Sequence, residues 1–151
     1  MRIIKEDLWK CDTGTMIVVT TNSTLNKDGA LIMGKGAAKQ LRDFMPGIDL
    51  EIGQILRPLP KTYGFLPIRL SEYEIYKVGI FQTKRYYADN AEMDLINTSL
   101  IKLRAFLQEN PKLDVRLNFP GIGCGKLNRD VVEFFLRMHL RDLDNITICH
   151  Y

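Results

Sequence analysis

The chain has 151 residues and a formal net charge of +3, with 46% hydrophobic and 26% charged residues. This balance fits one ordinary domain over residues 1–151 and a small anionic ligand better than the tracking of long DNA, although it leaves a nucleic-acid substrate open. No apolar run approaches the roughly 20 residues of a membrane span, and the first residues lack a signal-peptide pattern, so we expect a cytoplasmic protein with no membrane partner.

Cysteine and histidine are too few and too scattered for a metal site. Cys11, Cys124 and Cys149 are odd in number and lack C-x-x-C spacing, which indicates reduced thiols. His139 and His150 are the only histidines. We therefore expect no metal and no cofactor.

The first half of the chain predicts two strands and a helix. Residues 1–5 and the β-branched run 16–21 are predicted strands, and the second is apolar enough to be buried on both faces. Residues 22–30 are polar and predict a loop. Residues 37–45 have helical periodicity and end at Pro46-Gly47.

The remaining pattern alternates strands with helices. Strands are predicted over 54–59, 64–69 and 74–81, although the prolines at 58, 60 and 67 weaken the first two. Amphipathic helices are predicted over 92–108 and 128–143, the second capped by Asn128, with strands over 115–119 and 146–149. This alternation predicts an α/β layered fold in which ligands lie at the carboxyl ends of the strands.

Two glycine-rich loops are the most informative feature. The first reads Met33-Gly34-Lys35-Gly36 before a helix, and the second reads Pro120-Gly121-Ile122-Gly123-Cys124-Gly125 after a strand. Glycine lets backbone N–H groups approach an anion closely, and a helix N-terminus adds further donors. Neither loop has P-loop or dinucleotide-fold spacing. Two such loops in a small domain predict a diphosphate gripped from both sides, whereas Gly34-Lys35-Gly36 alone could be a plain helix start.

Three further residues and a few aromatic residues each have a functional and an ordinary interpretation. Asn22 follows the buried strand and could bond a sugar hydroxyl, or simply stabilise its own loop. Lys84 follows a strand and could attack an aldehyde-like carbon, but most such lysines are solvated. Cys124 could be a reactive thiol, although a small buried residue is the favoured interpretation. The aromatic residues Trp9 and Tyr86-Tyr87 could stack on a base, or pack in the core or at the rim.

Together these residues resemble a macrodomain, the ADP-ribose-binding module. The resemblance covers nearly the whole chain and rests, in the family's order, on four short motifs: Glu6-Asp7-Leu8, Val18-Val19-Thr20-Thr21-Asn22, Met33-Gly34-Lys35-Gly36-Ala37-Ala38 and Pro120-Gly121-Ile122-Gly123-Cys124-Gly125. The Met-Gly-Lys-Gly loop is most similar to the branch with the terminal ADP-ribose protein glycohydrolase and the antitoxins that remove ADP-ribose from DNA. The implied fold is a three-layer α/β/α macrodomain with a mixed, mostly parallel sheet of about six strands.

The resemblance also implies roles. Asp7, with Leu8 beside it, would hold the adenine amino group; Asn22 would meet the distal ribose; and Lys84 would attack the ribose anomeric carbon. The implied phosphate loops are Gly34, Lys35 and Gly36, and then Gly121, Ile122, Gly123, Cys124 and Gly125.

The implied ligand is ADP-ribose or an ADP-ribosylated substrate, with nucleic acid only as a modified substrate, and we expect a monomer. The implied activity is hydrolysis of an ADP-ribosyl linkage to protein, nucleic acid, phosphate or acetate; the alternative is a non-catalytic reader. The branch carries an aspartate soon after the second loop, whereas here Asp130 comes a few positions later. The loop 23–32 is also longer than in the antitoxins.

Overall fold

The computed structural model describes residues 1–70 and 77–150. Its elements, in chain order, are β1 (Arg2–Lys5), β2 (Met16–Thr21), α1 (Gly36–Phe44), α2 (Ile48–Leu56), β3 (Phe65–Ile68), β4 (Val78–Gln82), α3 (Met93–Glu109), β5 (Val115–Asn118), α4 (Arg129–Leu140) and β6 (Ile146–His150). The six strands form one sheet in the order β1-β6-β5-β2-β4-β3. Every neighbouring pair is parallel except β3 and β4, which are antiparallel. The mixed, mostly parallel sheet predicted from the sequence is therefore confirmed.

Helices cover both faces of this sheet, which gives three layers. Leu41 of α1 and Ile52 of α2 pack in one core cluster with Val19 of β2. Leu100 of α3 and Leu136 of α4 belong to a second cluster on the other face. Successive residues of β2 alternate between the two clusters, as strand geometry requires. Both faces of β2 are thus buried, as its continuous apolar run predicted. No helix within the described residues is long and apolar enough to cross a membrane.

The prediction of a strand over 54–59 is wrong, because residues 54–56 form the end of helix α2 and residues 57–59 form a turn and bend after it. Ile48, Ile52 and Leu56 recur every four residues and are all buried, which is the spacing of one helix face. Gly47 starts the helix with φ 92°, a left-handed conformation that suits glycine. The strand prediction began at Gln54, inside this helix, and so missed the preceding residues 48–53 of the pattern.

The other predicted elements are present with small shifts at their ends. The strand predicted over 74–81 appears as β4, which ends at Gln82; positions 74–76 lie outside the described residues. Asn128 caps α4 as predicted, since its side chain accepts hydrogen bonds from the N–H groups of Asp130 and Val131. The antiparallel strand β3 lies at the edge of the sheet, where Pro67 is tolerated.

The connections that follow the neighbouring strands β2 and β5 leave the sheet on opposite faces. From β2 it continues into α1 on one face of the sheet, and from β5 into α4 on the other face. Neighbouring parallel strands whose connections leave on opposite faces open a crevice at their carboxyl ends, where α/β proteins bind ligands. The second glycine loop follows β5 closely, and the first lies on the connection from β2 to α1.

Candidate functional site

A side chain holds the two strands together at the base of the crevice. The recorded register of β2 and β5 runs from Met16–Val115 to Val18–Leu117. Beyond it, the Asn118 side-chain oxygen accepts from the Thr20 N–H at 3.0 Å, and its Nδ2 donates to Thr20 Oγ1 at 2.9 Å. Asn118 therefore replaces backbone pairing at the point where the strands separate.

The first glycine loop presents the N-terminus of α1. Gly34, Lys35 and Gly36 are all exposed, and the N-cap residue Lys35 makes no side-chain capping bond. Among the described residues, no acceptor pairs with the N–H groups of residues 34–38. Gly36 has φ 60°, which favours glycine. This loop supplies a run of free donors and the positive end of a helix dipole.

The second glycine loop presents its own backbone. Its carbonyls of Gly121, Gly123 and Gly125 accept from the N–H groups of Leu127, Lys126 and Ala91, respectively. The N–H groups of residues 121–125 donate to no group among the described residues. The carbonyls are therefore used within the protein, and the N–H groups remain available for an anion.

The glycines of the second loop differ in what they allow. A Cβ on Gly125 would lie 2.7 Å from the Gly121 carbonyl oxygen and 2.7 Å from Ala91 Cβ. Gly121 has φ 76° and would place a Cβ 2.9 Å from Leu127. A Cβ on Gly123 meets nothing within 4 Å. Packing and backbone shape explain the outer two glycines, whereas Gly123 borders open space.

The two remaining members of this loop are partly or fully accessible. Ile122 is half-buried and packs against the core of the α3 and α4 face. Cys124 is an exposed free thiol, so the favoured interpretation of a small buried residue is wrong.

Asp7 and Leu8 follow β1 at the same edge of the sheet. Asp7 is exposed, and one of its carboxylate oxygens accepts from the Trp9 N–H at 3.0 Å. Arg116 fixes this segment by donating to the Asp7 carbonyl at 3.1 Å and pairing with Glu6 at 2.7 Å. The Leu8 side chain is 1% exposed and belongs to the core, so only its backbone can face a ligand.

Asn22 lies directly after β2 and is 7% exposed. Its Nδ2 donates to the Ile32 carbonyl at 2.9 Å, and its side-chain oxygen accepts from the Thr24 N–H at 2.8 Å. The Asn22 carbonyl accepts from the buried Tyr63 hydroxyl at 2.6 Å. Burial raises the pKa of Tyr63 well above its ordinary value, partly offset by its bond with Thr21, so this hydroxyl stays protonated. The Asn22 side chain therefore stabilises its own loop, and one of its two Nδ2 hydrogens remains available to donate.

Lys84 lies two residues after β4 and is half-buried. Its Nζ donates to the Asp89 carbonyl at 3.1 Å. The neighbouring Arg85 side chain points elsewhere, because it pairs with Glu92 at 2.7 Å and donates to Thr62. Because β4 and β2 are adjacent and parallel, Lys84 and Asn22 both follow the carboxyl ends of neighbouring strands.

The other aromatic and acidic candidates make separate contacts. Trp9 packs against Phe44 with ring centroids 4.7 Å apart, which is rim packing. Tyr86 and Tyr87 are exposed and contact each other at 4.9 Å. Asp130 is exposed on the first turn of α4. Within residues 1–70 and 77–150, no group of three or more His, Cys, Asp or Glu side chains could hold a metal ion.

Sequence reasoning missed the buried polar residues below the site. Gln82 is fully buried; its side-chain oxygen accepts from the Tyr63 and Gly64 N–H groups, and its Nε2 donates to the Lys61 and Lys84 carbonyls. A glutamine closing an apolar strand was the available signal, because a buried amide must find partners. Asn118 gave a similar signal at the end of β5.

The comparisons with known proteins concern the fold. No protein-family model matches the chain, and neither does the sequence of any curated protein. Among solved structures, the macrodomain of Thermus aquaticus DarG is similar with a TM-score of 0.76 at 20% identity, covering 99% of this chain and 96% of that one. The macrodomain of Mycobacterium tuberculosis DarG gives 0.77 at 21% identity, covering 99% and 97%.

A third structure, Thermosipho africanus DarTG in complex with ADP-ribose, gives a TM-score of 0.76 at 16% identity. It matches 97% of this chain, which spans only 40% of the Thermosipho chain. At these identities the likeness establishes architecture. The chain has the macrodomain fold and resembles DarG macrodomains, as its motifs predicted.

Proposed function

We propose that the protein binds ADP-ribose in the crevice between β2 and β5 and hydrolyses an ADP-ribosyl linkage. The observation that carries the proposal is the pair of glycine loops, each with about five consecutive N–H groups that the described residues leave free. Two separate sets of donors suit the two phosphates of a diphosphate better than they suit one small anion.

The remaining parts of ADP-ribose are assigned by position along the sheet. The diphosphate lies between residues 34–36 and 121–125. The adenine amino group donates to the exposed Asp7 carboxylate on the β1 side, and the distal ribose lies toward Asn22 and Lys84 on the β4 side. The resemblance to macrodomains supports this orientation, and the Thermosipho DarTG structure, a complex with ADP-ribose, supports the choice of ligand.

The chemistry follows from this placement. A neutral Lys84 Nζ attacks the anomeric carbon, so that a nitrogen–carbon bond forms as the bond to the leaving group breaks and that group takes up a proton. Water then displaces the amine, leaving its oxygen on the anomeric carbon. Asn22 orients the ribose through its remaining Nδ2 hydrogen. The leaving group is a protein side chain, a nucleic acid, phosphate or acetate.

A non-catalytic reader is the second candidate, and specific observations favour it. The sequence contains no Asp or Glu between Gly121 and Arg129, and Asp130 is exposed on α4. Lys84 Nζ is held by the Asp89 carbonyl, and Asn22 is engaged in its own loop. Each group would have to be released or shared before it could act on a ribose.

Calorimetry with ADP-ribose tests binding. We expect a micromolar dissociation constant, about −8 kcal/mol. If millimolar ADP-ribose produced no heat and no change in melting temperature, the proposed site would be excluded.

Turnover separates the enzyme from the reader. The purified protein is incubated with ADP-ribosylated protein, ADP-ribosylated oligonucleotide, ADP-ribose 1''-phosphate and O-acetyl-ADP-ribose, and products are identified by mass. We expect Lys84→Ala to remove most turnover while ADP-ribose affinity stays within a few-fold. Lys84→Arg should not restore turnover, because a guanidinium stays protonated. Lys112→Ala, an exposed lysine before β5 at the opposite edge, is the control.

A further inference from the structure

Thr24 contacts both segments that carry the proposed reacting groups. Its N–H donates to the Asn22 side-chain oxygen at 2.8 Å. Its hydroxyl donates to the Arg85 carbonyl at 3.0 Å and accepts from the Tyr87 N–H at 3.0 Å. One half-buried threonine thus joins the loop after β2 to the loop after β4.

Ser23 also joins the loop after β2 to the loop after β4, but only at Arg85. Ser23 donates to the Arg85 carbonyl through both its N–H, at 2.9 Å, and its hydroxyl, at 3.1 Å. Ser23 therefore fixes Arg85 alone. Thr24 differs because it also contacts Asn22 through its N–H and Tyr87 through its hydroxyl.

Lys84 is held on its other side by the sheet. Gln82 Nε2 donates to the Lys84 carbonyl at 3.3 Å, and the Thr83 N–H donates to the Thr21 carbonyl at 3.0 Å. The backbone of Lys84 lies between this anchor and the Thr24 contacts at residues 85 and 87. The position of Lys84 relative to Asn22 is thus fixed by the sheet before Lys84 and by the Thr24 hydroxyl after it.

We propose that Thr24 is a positioning residue that fixes Lys84 relative to Asn22 through its hydroxyl, an inference that rests on the proposed hydrolysis. The hydroxyl of Thr24, rather than its methyl group, makes the contacts to the loop after β4. Misplacement of a reacting group by about 1 Å lowers rates strongly while binding elsewhere persists. Loss of the hydroxyl should therefore lower kcat more than it weakens binding.

Three variants isolate the hydroxyl. Thr24→Val keeps the branched shape and removes the hydroxyl, whereas Thr24→Ser keeps the hydroxyl. Thr98→Val is the matched control, because Thr98 Oγ1 also donates to a backbone carbonyl, that of Asp94 within α3. We expect Thr24→Val to lower kcat at least about tenfold, with KM and ADP-ribose affinity within about threefold. Thr24→Ser and Thr98→Val should stay near wild type.

Hydrogen exchange of the Tyr87 amide tests the link without turnover. This N–H should exchange at least about tenfold faster in Thr24→Val, because its acceptor is gone, and near the wild-type rate in Thr24→Ser. The Lys84 amide shift should move with it in spectra of the ADP-ribose complex.

The outcomes separate the two proposals. Unchanged kcat, or unchanged Tyr87 exchange, in Thr24→Val would overturn the positioning role. If the wild type binds ADP-ribose and cleaves no substrate, the proposed hydrolysis fails. Faster Tyr87 exchange and a shifted Lys84 amide in Thr24→Val would then still support positioning by Thr24, and their absence would overturn it.

Discussion

The two glycine loops offer backbone donors in different ways. The first is followed by α1, whose N-cap residue Lys35 makes no side-chain capping bond, so the helix N-terminus itself is open. The second is followed by α4, whose first N–H groups are taken by the Asn128 side chain. The first loop therefore presents a helix end, and the second presents only the loop.

Glycine also has different reasons to be present in the second loop. Gly121 and Gly125 are enforced by close contacts inside the protein, whereas Gly123 has open space around it. A ligand can explain only a glycine that the protein does not already explain. Gly123 and Gly34, which also has nothing within 4 Å of a built Cβ, are the positions that test the anion site.

The largest expected effect is on binding at Gly123. Gly123→Glu places a carboxylate among the free N–H groups, where it occupies the site and repels a phosphate. We expect ADP-ribose affinity to fall more than about 100-fold, roughly 2.8 kcal/mol, with the melting temperature unchanged. Calorimetry and thermal unfolding measure the two quantities.

Gly14→Glu is the matched control. Gly14 is exposed, a Cβ there also meets nothing within 4 Å, and the residue precedes β2, at the amino ends of the strands. Gly34→Glu should behave like Gly123→Glu. Equal affinity in Gly123→Glu and Gly14→Glu would remove the second loop from the site.

A smaller effect, on stability, is expected at Gly125. Gly125→Ala forces a methyl group to within 2.7 Å of the Gly121 carbonyl oxygen, and backbone atoms cannot move aside cheaply. The free energy of unfolding should fall by about 2 kcal/mol in urea titrations. Gly123→Ala is the control and should lose less than about 0.5 kcal/mol. Equal stability of the two alanine variants would mean that the loop relaxes freely.

Asp7 lies outside both loops and tests whether the site extends beyond phosphates. Asp7→Ala should weaken ADP-ribose binding by about 1.5 kcal/mol and leave ribose 5-phosphate binding nearly unchanged, because only the former carries adenine. Competition calorimetry with both ligands measures the difference. Asp144→Ala, an exposed carboxylate before β6, is the control. Equal losses for both ligands in Asp7→Ala would show that Asp7 does not contact the base.

The sequence predicted the fold better than it predicted the site's supporting contacts. Hydrophobic periodicity and the order of the motifs predict the layers and the sheet, because these depend on local patterns. The strand predicted over 54–59 failed where a short window divided a helical repeat. The link from Thr24 to Arg85 joins residues 61 positions apart, and no local pattern encodes it. Cys124 was wrongly predicted to be buried because the sequence does not show which positions of the loop are crowded. In the structure Gly121 and Gly125 occupy crowded positions, and Cys124 is exposed.

The smallest expected effect concerns Asn128 and sharpens the contrast between the two helix ends. Its side chain accepts from Asp130 at 2.9 Å and Val131 at 3.3 Å. Asn128→Ala should lower the free energy of unfolding by about 1 kcal/mol in urea titrations, and Asn128→Ser should restore most of it.

ADP-ribose affinity should change less than about threefold in Asn128→Ala, because the capped N–H groups of α4 are not among those proposed to hold phosphate. The opposite result would be informative. If the alanine variant bound ADP-ribose much more tightly, the uncapped end of α4 would be competing for the phosphate, and the second loop would work like the first. If it bound much more weakly with stability preserved, Asn128 itself would contact the ligand. Unchanged affinity with reduced stability would establish that one helix end serves the ligand and the other serves the fold.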